Sequence, residues 1–191
     1  MQNAFKDSLK KLNDLNLVNF SNFSQRGIEK ESLRVNDSEI SNSDHPKALG
    51  SALTNPFITT DFSEALLEFI TRKSSTVEKA LDDLKIILTY THQNIEDVIW
   101  PGSVPCSIRD ESKIRIANYG TSNSGKLKEL YRIGLSYRYG SMMQCVSGIH
   151  YNFSLNEDFF KKWQGSKENF QSFQNEKYLN LIRNFRKNAW L

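Results

Sequence analysis

Five carboxylates and one imidazole are the side chains of this 191-residue chain best placed to do chemistry. Glu29 and Glu31 lie in Gly27-Ile28-Glu29-Lys30-Glu31-Ser32-Leu33-Arg34-Val35. Asp61, Glu64 and Glu68 lie in Ile58-Thr59-Thr60-Asp61-Phe62-Ser63-Glu64-Ala65-Leu66-Leu67-Glu68-Phe69, and His150 lies much later in Ser147-Gly148-Ile149-His150-Tyr151-Asn152-Phe153-Ser154. All three segments read as strand-like. Residues two apart on a strand point to one face, which pairs Glu29 with Glu31 and Glu64 with Glu68. Strands of this kind side by side make an oxygen-rich floor. Such a floor repels itself unless cations sit on it, and hard divalent cations take oxygen ligands. The chemistry this predicts is magnesium held beneath the phosphates of a nucleotide.

Each signal alone also has a plainer reading. Glu29 and Glu31 suit a solvated strand edge. Asp61, Glu64 and Glu68 also stand at i, i+3, i+7, a helical spacing, although Phe69-Ile70-Thr71 favours a strand. His150, between Ile149 and Tyr151, suits a satisfied core histidine, and Asn152 on its face suits a ligand pocket or a local hydrogen bond. The Gly-flanked run 120–125 could cradle phosphate through backbone N–H groups, but no GxxxxGK[ST] motif is present. Tyr131, Arg132, Leu135, Tyr137 and Tyr139 read as an aromatic-rich core helix. The combination is what favours a metal floor.

The elements that must position these residues follow from periodicity. Phe5, Leu9 and Leu12 predict a helix over about 3–16, and 25–35 predicts a strand. Residues 36–46 read as a polar loop or hairpin connection, 47–53 as a short helix ended near Asn55-Pro56, and 65–71 as a strand after the Thr-Thr-Asp turn. Ser75 or Thr76 caps a long helix to about Val98, with Val77, Ala80, Leu81, Leu84, Ile87 and Leu88 as its buried stripe. A break at 100–105, a loop at 120–125, a helix over 126–139 and a strand over 145–155 come next. Asn156 caps a short helix, and a last helix begins near Asn175 and runs on without a stop signal, so the chain reads as ending inside a helix. Strands in pairs interrupted by helices predict an α+β fold with a mostly antiparallel sheet.

Composition bounds the function. A chain of this length with 38% hydrophobic and 25% charged residues is globular. Of its charges, residues 161–191 hold seven Lys or Arg against two Glu, while residues 1–160 hold eighteen basic against twenty acidic. The motif region is therefore net acidic, which argues against nucleic-acid binding, and the basic tail reads as a solvated helix face. Cys106 and Cys145 form no CxxC pair and read as free thiols in a reducing cytosol. No apolar run approaches a bilayer span and the N-terminus lacks an apolar leader, which predicts a soluble cytoplasmic protein.

Several long motifs, in one order over roughly residues 25–160, resemble the proteobacterial glutamate–cysteine ligase family. They are Gln25 to Val35, His45-Pro46-Lys47-Ala48-Leu49-Gly50-Ser51-Ala52-Leu53-Thr54, Ile58 to Thr71, Trp100-Pro101 to Cys106, Tyr119-Gly120-Thr121-Ser122-Asn123-Ser124-Gly125, and Tyr139-Gly140 through Gln144 to Phe153. The resemblance implies a glutamine-synthetase-like α+β fold. It also implies ATP-dependent ligation of L-glutamate to L-cysteine through an acyl phosphate, the first step of glutathione biosynthesis. Mg²⁺ or Mn²⁺ would be the cofactor and ATP the co-substrate. By the same resemblance Glu29, Glu31, Asp61 and Glu68 fall on metal-binding acids and His150 beside them, with Glu64 as a supporting residue. Phe62, Tyr131, Leu135 and Gln144 fall on the amino-acid pocket. No residue is assigned a catalytic role. The family's chain is more than twice this length, so residues 1–191 read as a truncated N-terminal part of one catalytic domain, inactive alone and a monomer when complete. Two other readings stay open: a sister carboxylate–amine ligase or half of a bifunctional glutathione-making enzyme, and a non-catalytic remnant that binds nucleotide or a partner.

Overall fold

A computed structural model describes residues 2–165 and 169–190. It resolves into two compact units, one running to Gln25 and resuming at Phe153, the other spanning Arg26–Asn152. The second unit carries the sheet. Strand β1 (Ser24–Asn36) turns through Asp37 and Ser38, both at positive φ, into β2 (Glu39–Ile40). Strands β3 (Ile58–Thr60) and β4 (Leu66–Ile70) form a hairpin. The order is β2-β1-β4-β3, with β5 (Val98–Ile99) and β6 (Ile149–Leu155) also pairing with β1. The pairings whose register is defined are antiparallel, as the α+β reading expects.

Strand alternation sorts β1 and β4 into two faces. Leu67 and Phe69 join Ile58, Ile87 and Ile99 in a core beneath α2 (Val77–Asn94). Leu33, Val35 and Leu66 point the other way and pack with Phe62, Cys106, Ile114 and Cys145, against which Leu135 of α3 (Asn123–Tyr139) also rests. Both cysteines are buried and free. Buried Arg34, 2.7 Å from Asp97 and donating to the Ser43 and Glu64 carbonyl oxygens, ties β1 to the loops at its end. In the other unit α1 (Gln2–Asp14), α4 (Glu157–Gln164) and α5 (Phe170–Asn188) gather around Leu17, Phe159 and Phe160, with Phe23, Trp163, Phe173 and Tyr178 as an aromatic surround. Asn156 caps α4 as predicted, accepting from Phe159 N at 3.1 Å.

Several boundaries differ from expectation. Helix α2, capped by Thr76, stops at Asn94 rather than Val98, because Val98 pairs with Val35 in the sheet. Of its expected stripe, Ala80 and Ile87 are buried and Leu84 and Leu88 pack against the core, Thr91 joins the buried residues, and Val77 and Leu81 are exposed. The short helix at 47–53 is a single 3-10 turn, Lys47–Leu49. Helix α3 starts at Asn123, inside the predicted polar loop, since Ser122 accepts from Gly125 N as its N-cap. The strand over 145–155 begins only at Ile149; Met142–Cys145 form a 3-10 turn that buries Cys145, and Ser147 N bonds the Ser103 oxygen instead of extending the ladder. Helix α5 starts at Phe170 rather than Asn175, because Phe170 and Phe173 are held by the aromatic cluster. Leu191, where the helix was expected to continue, lies outside the described residues. No described helix is long and apolar enough to cross a membrane.

Candidate functional site

The β1–β4–β3 register builds the acidic floor. Glu31 stands directly opposite Glu68, Glu29 is opposite Ile70, and Thr59 flanks Glu68 from the other side. Opposed residues share a face, so Glu29, Glu31 and Glu68 lie together on the face that Leu33 and Leu66 carry into the core. One face is thus apolar at one end and anionic at the other. Like charges directly opposite destabilise a sheet, and a local rule broken in this way makes these three acids candidates for a functional site.

Strand β6 closes the floor. The His150 Nδ1 lies 3.3 Å from a Glu29 oxygen, and the Asn152 amide donates to the other at 2.8 Å. Gly148 N donates to Glu31 Oε2 at 2.7 Å, and Glu31 N donates back to the Gly148 oxygen at 2.9 Å. A Cβ on Gly148 would stand 3.1 Å from His150 Nε2 and 3.4 Å from Glu31 Oε2, so a glycine lets ring and carboxylate approach. One ligand atom from each of Glu29, Glu68 and His150 falls within 4.8 Å of the others. Two carboxylates and an imidazole on a common point fit a divalent cation such as Mg²⁺ or Mn²⁺. Burial, then Asp61, Glu29 and Glu31, push the Glu68 carboxyl up to about 7, against a smaller opposing pull from His150. A cation at this point reverses that logic by favouring the charged form.

Asp61 occupies the turn between β3 and β4, with its N–H on the Leu66 oxygen. Buried Tyr119 sends its hydroxyl to the Thr60 oxygen at 2.7 Å and lies 2.9 Å from the Asp61 oxygen. Arg132 Nε also donates to that Asp61 oxygen, and the guanidinium stacks on the Tyr119 ring at 4.6 Å. Glu64 departs from expectation. It sits in the turn, not on a strand, so it does not share the Glu68 face. Only 3% exposed, its two oxygens accept from His45 N at 2.8 Å and Asn118 N at 2.7 Å, which pins two loops over the turn.

The residues matched to an amino-acid pocket are dispersed in character. Phe62, 1% exposed, is a core residue. Tyr131 and Leu135 stand one turn apart on α3, Tyr131 exposed and Leu135 half-buried against the core. Gln144 is half-buried in the 3-10 turn, not at the start of the strand carrying His150. Tyr137 and Tyr139 are exposed, so α3 is no aromatic core helix. In the 120–125 run, Gly120 N is taken by Asn118 Oδ1 and Gly125 N by Ser122 Oγ, so these two N–H groups are engaged within the chain. Sequence reasoning passed over Tyr119 as a functional residue and placed Arg132 only in a helix. The signal available for Tyr119 was its place at the head of the Tyr119–Gly125 motif.

The fold is an antiparallel sheet with flanking helices that carries a carboxylate–imidazole floor, and comparison gives its family. The glutamate–cysteine ligase family model matches residues 9–191, and the chain belongs to that family. It is 50% identical over 172 residues to the glutamate–cysteine ligase of Hahella chejuensis, covering 87% of this chain and 33% of that one. The Janthinobacterium enzyme is 45% identical over 196 residues, covering 100% and 37%. Among solved structures, Francisella tularensis glutamate–cysteine ligase in complex with AMP superposes with a TM-score of 0.77 at 38% identity, covering 88% of this chain and 34% of that one. A bifunctional glutathione synthetase from Pasteurella multocida gives 0.78 at 33%, covering 95% and 23%. The chain spans about a third of the length of the curated relatives it matches.

Proposed function

We propose that the chain carries the divalent-cation floor of a glutamate–cysteine ligase, with Glu29, Glu68 and His150 as the inner ligands and Glu31 and Asp61 beside them. The observation that carries this reading is the convergence of one atom from each inner residue within 4.8 Å. In the reaction, a γ-carboxylate oxygen of L-glutamate attacks the γ-phosphorus of ATP and releases ADP, leaving a γ-glutamyl phosphate. The L-cysteine amine then attacks the acyl carbon, loses a proton and expels phosphate. Two anions, ATP and glutamate, must be gathered with the cysteine zwitterion, and bound Mg²⁺ or Mn²⁺ would supply the charge neutralisation that phosphoryl transfer needs. The chain's own part is to hold the acids in register and orient His150 and Glu29 against Asn152. The AMP bound by the Francisella relative supports an adenine nucleotide as co-substrate. Tyr131, Leu135 and Gln144 form one side of the acceptor pocket, with Phe62 packed in the core near the Asp61 turn. A thiol substrate and free cysteines suit a reducing cytoplasm. The Pasteurella likeness favours a second setting for the same chemistry, the ligase half of a bifunctional enzyme.

Mn²⁺ binding by the purified chain, followed by electron paramagnetic resonance, tests the reading. Glu29→Gln and Glu68→Gln should each weaken Mn²⁺ at least about tenfold, in the range typical of disturbed metal sites. Unchanged affinity in both variants overturns the metal assignment.

A further inference from the structure

The turn that presents Asp61 is gripped more firmly than a β3–β4 connection requires. Asp61 N already completes the ladder through the Leu66 oxygen. Beyond that, its carbonyl oxygen receives Arg132 Nε and lies 2.9 Å from the Tyr119 hydroxyl, which is 2.7 Å from the neighbouring Thr60 oxygen. Arg132 Nη2 reaches to 3.9 Å from Asp61 Oδ1. The Tyr119 ring, 5% exposed, lies under the Arg132 guanidinium at 4.6 Å and the Lys128 ammonium at 4.9 Å. These two cations are one turn apart on α3 and together seat that helix on the ring. The start of α3 is pressed onto the same residue: a Cβ at Gly125 would stand 2.5 Å from the Tyr119 oxygen. The strand-like run that ends in Tyr119 is itself fixed to the turn, through Glu64 N on the Arg115 oxygen and Ala117 N on the Phe62 oxygen.

We infer that Tyr119, with Arg132 stacked on it, is a positioning residue that fixes the Asp61 carboxylate at the edge of the acidic floor, beside the cation held by Glu29, Glu68 and His150. This rests on the metal reading above. Neither Tyr119 nor Arg132 ligates the cation in this scheme; Tyr119 acts through the Asp61 backbone, and Arg132 through both its carbonyl oxygen and its carboxylate. The buried hydroxyl set between two successive carbonyl oxygens of the turn, with Arg132 Nε donating to the second, goes beyond what packing of the ring alone requires.

The test is a double-mutant cycle on Mn²⁺ affinity of the purified chain, read by electron paramagnetic resonance, with Tyr119→Phe, Asp61→Asn and the pair combined. Tyr119→Phe keeps the ring and removes only the hydroxyl. It should weaken Mn²⁺ by about tenfold, the lower end of what outer-shell partners contribute. Asp61→Asn should weaken it at least as much, and the double variant no more than Asp61→Asn alone, because Tyr119 acts through Asp61. Arg132→Lys, which keeps the charge and loses the fork, should repeat the Tyr119→Phe result and serves if that variant does not fold. Additive losses, or normal affinity in Tyr119→Phe and Arg132→Lys, overturn the clamp. If Asp61→Asn binds normally while Glu29→Gln and Glu68→Gln do not, the metal site stands and the clamp falls. If none of the acid variants changes Mn²⁺ binding, the metal reading itself fails and takes the clamp with it.

Discussion

Glu64 and Glu68 stand four residues apart with like chemistry and do opposite work. Glu64 satisfies two loop N–H groups with its two oxygens and is structural. Glu68 faces Glu31 across the sheet and lies within reach of Asp61 and Glu29, which with burial bring its carboxyl to about 7 from an ordinary 4.5. The sign of the pH effect follows from proton counting. Between about 4.5 and 7 the folded chain holds a proton on Glu68 that the unfolded chain has lost, so stability falls as pH rises through that window. Glu68→Gln should flatten this part of the profile and raise the melting temperature at pH 8 in metal-free buffer. The same concentration of Mn²⁺ at pH 8 should stabilise the unsubstituted chain more than the variant. Melting curves across pH with and without Mn²⁺ check both.

At the scale of elements, the placement of α3 decides how the Asp61 corner is built, and two glycines on that helix separate packing from propensity. Gly134 has nothing within 4 Å of a hypothetical Cβ, so Gly134→Ala should stabilise by up to about 1 kcal/mol through helix propensity alone. Gly125 has the same propensity to gain, but its Cβ would meet the Tyr119 oxygen at 2.5 Å, and backbone cannot yield as a side chain does. Gly125→Ala should therefore destabilise, by about 1–3 kcal/mol as overpacking does. Urea unfolding of the two variants should give shifts of opposite sign. Two shifts of the same sign would remove the close helix–strand contact from the account of the site.

For the whole molecule, the chain spans about a third of the curated relatives' length, while the proposed chemistry must gather ATP, glutamate and cysteine around one floor. The purified 191-residue chain should bind Mn²⁺ yet show no phosphate release dependent on ATP, glutamate and cysteine together. Detectable release would overturn this. Large apolar side chains also stand exposed, among them Leu179, Ile182, Phe185 and Trp190 toward the end of the described chain. Exposed apolar surface of this kind promotes association, so scattering-derived mass should rise with concentration.

The amino-acid sequence by itself settled what depends on short-range pattern. Alternation placed Glu29 and Glu31 on one face of their strand, capping residues placed the starts of α2 and α4, and the ordered motifs settled the family. Parity within one segment carries no information about which strand lies opposite. Only the tertiary structure set Glu31 against Glu68, took Glu64 off the strand and into two loop hydrogen bonds, and brought His150 to Glu29. It also decided the contests between local signals. Val98 left a helical pattern because the sheet edge offered it a partner, and Ser122 started α3 inside a polar run because its hydroxyl met a free helix N–H. The Tyr119–Arg132 grip on Asp61 joins residues 58 and 71 positions apart. Periodicity reports which face a side chain takes, whereas contacts across such separations are selected by the packing of whole elements against one another.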